Sequence, residues 1–218
     1  MKPNTHKQHL NILIKNGHYK KRIYNKTEVI LAKARRSDKI YYIKKGYIKA
    51  SYISEKGYET IALILIKNQV FGLNILFDSS YSYFSYSSIE DSIVYEFEVK
   101  SIYKSDNHTY LIPLLLLSEE YFEIEKRIRI LNHRSAKKRL TLSLIELQEK
   151  LSSVSNYSNQ EDINYPFNQN ELADYTRTSR VTTNCFIGEL KNKSLLEYEN
   201  HHLLLKNDFF TVYNKPIP

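Results

Sequence analysis

The chain has 218 residues, 42% of them hydrophobic, which is enough for one large domain or two small ones with real cores. No run approaches the roughly 18 to 20 apolar residues of a membrane span, and the N-terminus lacks an apolar signal segment. We therefore expect a protein that stays in the compartment where it is made. The single cysteine, Cys185, excludes an internal disulfide, a cysteine-based zinc site and a four-thiolate iron–sulfur cluster.

The net charge of +8 suits a polyanionic partner, but the excess is unevenly placed. Lys and Arg outnumber Asp and Glu by 18 to 10 in residues 1–110 and by 8 to 6 in 111–151, whereas acids lead by 8 to 6 from 152 onward. Within 176–193, however, Arg177, Arg180, Lys191 and Lys193 face only Glu189. The basic character of that segment is therefore local.

Residues 23–99 predict an antiparallel β-roll or barrel. The runs "KIYYIKKGYIKASYI", "YETIALILI" and "SIVYEFEV" are β-rich, and turn signals lie at Lys45-Gly46 and at Glu55-Lys56-Gly57. Strands this short and closely spaced are typical of such a roll.

From about residue 111 the pattern becomes helical. Apolar positions spaced by four and three residues form one stripe, which predicts a long helix that ends near 132–134. The stripe is either a dimer seam or part of an intramolecular core, and it consists of Leu117, Tyr121, Ile124, Ile128 and Leu131. A second stripe, Leu140, Leu144, Leu147 and Leu151, predicts another helix, and the polar residues 152–162 predict a loop.

The C-terminal segment predicts two short helices joined by a tight turn. Asn168 and Glu171 form a capping-box pattern at the first helix, and Thr178 or Ser179 can cap the second. In the second helix Phe186, Ile187 and Leu190 should pack inward, leaving Arg180, Val181, Asn184 and Cys185 outside. A hairpin around 200–202 would follow. This order is the helix-turn-helix pattern with a wing, although two-helix turns also occur as ordinary packing units.

Other site chemistry is poorly supported. The residues predict no metal site, since His201 and His202 lack a second ligand cluster at suitable spacing, and they are better read as turn or phosphate-contact residues. With 5 glycines there is little material for a phosphate loop, and no nucleophilic triad is visible. We therefore expect that the protein is not an enzyme.

The order of roll, long helix, hinge and winged helix-turn-helix resembles the Crp/Fnr family of dimeric transcription regulators. "IYYIKKGYIKAS" around Gly46, "NQVFGLNIL" and "ELADYTRTSRVTTNCFIGELKNKSLLEY" resemble the family's roll and DNA-binding motifs. "SRVT" followed by "IGEL", and the junction "LNHRSAKKRL", are similar to the global nitrogen regulators of cyanobacteria, a branch with plastid-encoded relatives. The resemblance implies an α+β chain with a cyclic-nucleotide-binding-like jelly roll at 1–110, a long dimerisation helix at 111–133 and a winged helix-turn-helix at 134–218.

The resemblance also implies which residues contact DNA. Arg180 would read guanine through its guanidinium, and Val181 would touch a thymine methyl. Gln169, Ser179 and Thr182 would contact phosphates, and Lys191 would act on the backbone. Two positions depart from the family, because Cys185 stands where a second arginine is usual and Arg177 where a turn glycine is usual. The implied contact set is Gln169, Ser179, Arg180, Val181, Thr182, Asn184, Lys191 and His201.

An effector would bind beside the Phe-Gly segment, in a pocket formed by Phe71, Gly72, Leu73, Asn74, Tyr83 and Glu125. Residues 71–90 contain neither the Gly-Glu pair nor the arginine of cyclic-nucleotide binders, which argues against cyclic AMP. The resembled nitrogen regulators bind 2-oxoglutarate, a dianion that needs cationic partners. Tyr83 and Glu120 align with that branch's two arginines, so either a neighbour such as Arg127 substitutes, or the signal differs or is absent.

We expect a dimeric regulator that binds double-stranded DNA at a palindromic operator and works with a bacterial-type RNA polymerase. We expect no membrane among its partners. A biased composition, rich in Lys, Asn, Ile and Tyr, favours an AT-rich genome, hence the stroma of a plastid or a bacterial cytoplasm. The alternative is a small-molecule sensor that acts on a protein partner, with a degenerate helix-turn-helix. A metal-dependent jelly-roll enzyme lacks its ligand cluster.

Overall fold

The computed structural model describes residues 14, 19–77, 81–102, 111–154, 163–165, 168–199 and 202–213. The described chain divides into two compact units. The first comprises residues 1–57 and 62–125, and the second comprises residues 58–61 and 126–218. The division falls inside one long helix, between Glu125 and Lys126. No helix among the described residues has the length and apolar content needed to cross a membrane.

The N-terminal strands form two four-stranded sheets, in the orders β1-β8-β3-β6 and β2-β7-β4-β5. Strand β8 pairs antiparallel with β1 and β3, β3 with β6, and β7 with β2 and β4. The prediction of an antiparallel roll is confirmed. The strands are β1 (Tyr19–Tyr24), β2 (Val29–Leu31), β3 (Lys39–Lys45), β4 (Ile48–Ile53), β5 (Glu59–Leu65), β6 (Val70–Phe71), β7 (Ser85–Ser88) and β8 (Ser92–Glu98).

Gly46 makes the tight β3–β4 connection possible. Its φ is +95°, and a Cβ atom there would lie 2.1 Å from the hydroxyl oxygen of Ser92 in β8. Only glycine adopts this backbone readily and leaves room for the neighbouring strand. The roll motif therefore depends on this residue for a steric reason.

The core of the roll is aromatic. Phe71 stacks on Tyr41 and on Tyr86, with ring centroids 4.9 and 4.6 Å apart. Gly72 permits this packing, since its φ is +79° and a Cβ would lie 3.0 Å from the ring of Tyr41. Ile124 from the long helix packs against the same cluster.

Helices occur in both units, and those from Ala136 onward lie in the second. The helices are α1 (Val99–Ile102), α2 (Leu111–Leu131), α3 (Ala136–Val154), α4 (Gln169–Thr176), α5 (Arg180–Asn192) and α6 (Asp208–Tyr213), and a 3₁₀ helix spans Leu73–Phe77. The helix predicted from the second leucine stripe is confirmed as α3, and Leu140, Leu144, Leu147 and Leu151 are all buried.

A small antiparallel sheet completes the C-terminal part. The predicted hairpin is formed by β10 (Leu196–Glu199) and β11 (His202–Leu205). Strand β9 (Ile163–Tyr165), which the sequence did not predict, adds to β11. The hydroxyl of the buried Tyr165 donates to the carbonyl of Leu144 at 2.9 Å, which fixes this strand against α3.

Candidate nucleic-acid interface

Helix α4 begins at the predicted capping box. The side-chain oxygen of Asn168 accepts from the backbone N–H groups of Asn170 and Glu171, and the Glu171 carboxylate accepts from the N–H of Asn168. This reciprocal arrangement satisfies N–H groups that a helix start otherwise leaves without partners. Gln169 is the first helical residue and is half-buried.

Helix α5 begins at Ser179, one of the two predicted caps. Its hydroxyl accepts from the N–H of Thr182 at 3.0 Å, and the two hydroxyls are 2.8 Å apart. Since one hydroxyl donates to the other, one hydroxyl hydrogen of the pair stays available for an external acceptor such as a phosphate oxygen.

The two faces of α5 differ as predicted. Thr183, Phe186, Ile187 and Leu190 are buried against the domain. The exposed residues are Arg180, Val181, Thr182, Asn184, Cys185, Lys191 and Asn192. They follow helical spacing along one side, and Val181 is 73% exposed. A polar face with one protruding apolar side chain is therefore presented along the whole helix.

Three threonines fix the turn between the helices. The hydroxyls of Thr176 and Thr178 are 2.8 Å apart, and those of Thr178 and Thr183 are 2.7 Å apart. Thr176 also donates to the carbonyl of Leu172 at the end of α4. Because Thr176 and Thr183 are fully buried, this row of hydrogen-bonded hydroxyls holds the end of α4 and the start of α5 in one arrangement.

Arg139 on α3 holds the same turn from the other side, a role that the sequence did not reveal. Its guanidinium donates to the carbonyls of Thr176 and Arg177 at 3.0 and 2.9 Å, and to those of His133 and Arg134 at 2.8 and 3.1 Å. One side chain thus joins the α2–α3 connection to the α4–α5 turn. The quoted junction "LNHRSAKKRL" contains this arginine, but its acceptors lie up to 38 residues away.

The charge near the C-terminus of α5 is partly neutralised. Glu189 accepts from Lys137 at 2.7 Å and from Lys193 at 2.9 Å, and these bonds hold the pKa of the Glu189 carboxyl below its usual range. The pKa of Lys193 is raised by the same contact. Lys193 is therefore engaged within the protein, and both Lys193 and Lys191 are exposed. His201 lies outside the described residues.

The predicted stripe of α2 divides between two environments. Leu117 and Ile124 are partly buried and pack against the two roll clusters, and Leu131 is half-buried. Tyr121 and Ile128 are 63% and 53% exposed, and Leu114, seven residues before Tyr121, is 62% exposed. The sequence thus offered two readings, core or seam, and the structure supplies core contacts for part of the stripe and an apolar exposed row for the rest.

The residues predicted for an effector pocket do not share one environment. Phe71 lies in the aromatic cluster, and Leu73 in a second cluster with Ile40 and Phe97. Tyr83 is 69% exposed, and Glu125 is half-buried. The side-chain amide of Asn74 donates to the carbonyl of Tyr81.

The surroundings of Arg127 and Glu120 bear on the two alternatives for the effector. Arg127 is not available as a substitute cation, because its guanidinium lies 3.1 Å from the Glu146 carboxylate and is 3% exposed. Burial raises the pKa of the Glu120 carboxyl. The pKa of the Tyr86 phenol is also raised, mainly by burial and further by the nearby Glu120. Within the described ranges, no group of three His, Cys, Asp or Glu side chains is placed to hold a metal ion.

Comparisons with known proteins agree with this architecture. Residues 21–104 match the family described as the cyclic nucleotide-binding domain. The chain is 24% identical to the global nitrogen regulator of Nostoc sp. over 165 residues, 73% of either chain. It is 22% identical to that of Synechocystis sp. over 189 residues, 84% of this chain and 83% of the relative.

A solved structure, FixK2 from Bradyrhizobium japonicum, superposes with a TM-score of 0.76 at 16% identity, over 92% of this chain and 99% of that one. A Crp-family regulator from Thermus thermophilus gives a similar TM-score of 0.73 at 14% identity, over 90% of this chain and 98% of that one. At these identities the likeness establishes the fold alone. Residues 21–104 thus carry a cyclic nucleotide-binding domain, and over most of its length the chain has the fold of these solved regulators and is similar to the two global nitrogen regulators.

Proposed function

We propose that the protein binds a palindromic operator in double-stranded DNA through α5 and thereby regulates transcription. The observation that carries this proposal is the exposed side of α5, where Arg180, Val181 and Asn184 stand together while Phe186, Ile187 and Leu190 are buried behind them. A helix that offers its first turn in this way fits the major groove, where side chains near the N-terminus contact base edges.

The individual residues suit different parts of that contact. A guanidinium at Arg180 can bind guanine O6 and N7 together, and Val181 can meet a thymine methyl. Gln169 and the Ser179–Thr182 pair offer donors to phosphate oxygens, and Lys191 adds a charge to the backbone contact. Asn184 lies one turn beyond Arg180 on the same side. His201 stays in the proposed contact set on sequence grounds alone.

The protein acts as a dimer in this proposal. Leu114, Tyr121 and Ile128 recur every seven residues on α2 and are all more than half exposed, which is the spacing of a helix–helix seam. Leu117, Ile124 and Leu131 lie at the intervening seam positions and also reach the protein's own core or are half-buried. Residues 111–133 then form the dimer helix between the roll (1–110) and the DNA-binding domain (134–218).

The regulated process is nitrogen-related, and the protein works with a bacterial-type RNA polymerase. The support is that the two cyanobacterial relatives are global nitrogen regulators, together with the "SRVT" and "IGEL" segments that resemble that branch. The same relatives, and an amino-acid composition typical of an AT-rich genome, favour a plastid stroma or a bacterial cytoplasm. For the roll, 2-oxoglutarate stays a candidate effector, although neither Tyr83 nor Glu120 offers it a positive charge.

Genomic fragments captured by the purified protein, sequenced with and without 2-oxoglutarate, test the proposal. We expect enrichment of fragments that share a palindromic motif, and none of this enrichment with Arg180→Ala. Uniform capture of all fragments, or no capture, would instead favour the alternative of a sensor that acts on a protein partner. A difference between the two 2-oxoglutarate arms would identify the effector, and equal arms would remove it as a candidate.

A further inference from the structure

Arg177 occupies a backbone conformation that favours glycine. Its φ and ψ are 49° and 50°, in the left-handed region, at the residue that ends α4. Glycine is the common residue at this point of a helix because it has no Cβ to crowd the carbonyl. An arginine here costs folding free energy that a glycine would not, which makes its side chain a candidate for a functional role.

The main chain at Arg177 does not need the arginine side chain. Its N–H donates to the carbonyl of Ala173, and its own carbonyl accepts from Arg139 at 2.9 Å. Any residue would supply these two groups. The Arg177 side chain itself is exposed, and among the described residues its guanidinium has no hydrogen-bond or ion-pair partner.

Arg177 lies close in the chain to the start of the candidate reading helix. Arg177 lies three positions before Arg180, so their Cα atoms lie within about 11 Å of each other. Ser179 caps the helix between them, and the N-terminus of α5 adds partial positive charge. A phosphate that approaches this end therefore meets a helix start and two cations, which is a favourable anion environment.

We propose that Arg177 contacts a phosphate of the DNA backbone and anchors the first turn of α5 in the groove. The inference rests on the proposed DNA binding. It adds a contact from the turn to the DNA backbone, beside a helix that has Cys185 where a second arginine is usual. Arg139 supports the contact as a positioning residue, since it fixes the carbonyls on both sides of the Thr176–Arg177 peptide.

Arg177→Gly separates this role from folding, because the same substitution removes the cation and relieves the backbone. We expect a thermal midpoint at or above that of the wild type. Affinity should fall by the same factor on operator and on unrelated DNA, roughly eightfold at 0.1 M salt, and the slope of log K against log salt should shrink by about 0.9. Arg177→Lys should keep the slope, because it keeps the charge.

The measurement is fluorescence-polarisation binding of the full chain to an operator duplex and an unrelated duplex at three salt concentrations. The proposal is overturned if Arg177→Gly keeps the wild-type affinity and slope, and also if it loses affinity for the operator alone, since the side chain would then read a base. If the wild type itself binds neither duplex, DNA binding fails as a function, and this result is distinct from a loss confined to the variant.

Discussion

The guanidinium of Arg127 lies 3.1 Å from the carboxylate of Glu146, and both side chains are almost completely buried. Arg127 also donates to the hydroxyl of Ser143 and to the backbone carbonyl of Tyr175, and it lies 3.4 Å above the ring of Tyr175. The Tyr175 hydroxyl donates in turn to Glu146 at 2.9 Å. The last part of α2 is thereby joined to α3 and to α4.

Breaking this pair on one side should destabilise the protein strongly. Arg127→Met leaves the Glu146 carboxylate buried without its main partner, and we expect a loss of about 3 to 5 kcal/mol in the free energy of unfolding. The double variant Arg127→Met/Glu146→Leu leaves no charge and should recover much of that loss. Urea denaturation measures both.

The exposed pair Lys126–Glu149, in the same two helices, is the matched control. Lys126→Ala should cost no more than about 1 kcal/mol. A single-site loss at Arg127 as small as this control, or a double variant less stable than either single variant, would show that the buried pair does not behave as described.

Glu120 should lower stability at neutral pH. Burial raises the pKa of its carboxyl, so the folded state binds a proton more readily than the unfolded state. Its contribution is fully present below the unfolded pKa, roughly 4.3, and is lost as the pH rises through the folded pKa. Glu120→Gln, which stays neutral, should therefore raise the thermal midpoint at pH 7.5 and not at pH 4.

The exposed Glu55 provides a comparison for the same charge change. Glu55→Gln should give midpoint shifts that are small at both pH values. If Glu120→Gln is neutral or destabilising at pH 7.5, the carboxylate has a compensating partner in solution and the burial argument is wrong.

The helix-turn-helix was predictable because its signals are local. Asn168 and Ser179 cap helices through atoms two or three residues away, and the buried face of α5 follows from a 3.6-residue period. Tyr121 and Ile124, by contrast, belong to one stripe in the sequence but have different surroundings in the structure. Periodicity places residues on a side of a helix and does not say what covers that side.

Long-range pairing explains the other differences. Arg127 resembles a free cation in the sequence, yet its partners are 16 to 48 residues away. Strand β9 has three residues and lies beside a polar segment, so its identity comes from pairing with β11. The motifs of the helix-turn-helix could therefore be predicted from the sequence, whereas the surroundings of the predicted effector pocket could not.

The exposed row on α2 predicts a dimer that charge should dissociate. Tyr121→Asp together with Ile128→Asp would place two carboxylates from each chain in an apolar seam, where they lose hydration without gaining partners. Both side chains are mostly exposed within one chain, so the monomer should stay folded. Ile124 is left intact because it packs on the roll core.

Sedimentation velocity and circular dichroism follow the two effects. The control, Ile23→Asp with Ile53→Asp, changes two exposed apolar residues on β strands and should leave the assembly unchanged. A folded Tyr121→Asp/Ile128→Asp variant that sediments like the wild type would place the seam elsewhere.

Arg180 should carry sequence discrimination, and Lys191 general affinity. Arg180 is the first residue of α5, is exposed, and stands on the side whose opposite face is buried, so its guanidinium can enter the groove. Losing a bidentate contact to guanine should cost about 1 to 3 kcal/mol on the operator, with a much smaller loss on unrelated DNA.

The matched variant Lys191→Ala, at the other end of the same exposed face, removes a charge that we propose acts on the DNA backbone. Its affinity should fall equally on both DNAs, and its salt slope should decrease by about 0.9. Lys193→Ala should have a smaller effect, because Lys193 already binds Glu189. Binding to both duplexes at two salt concentrations decides the assignment: if Arg180→Ala weakens operator and unrelated DNA alike, then Arg180 meets phosphate, and the base-reading residue must be sought at Asn184 or Val181.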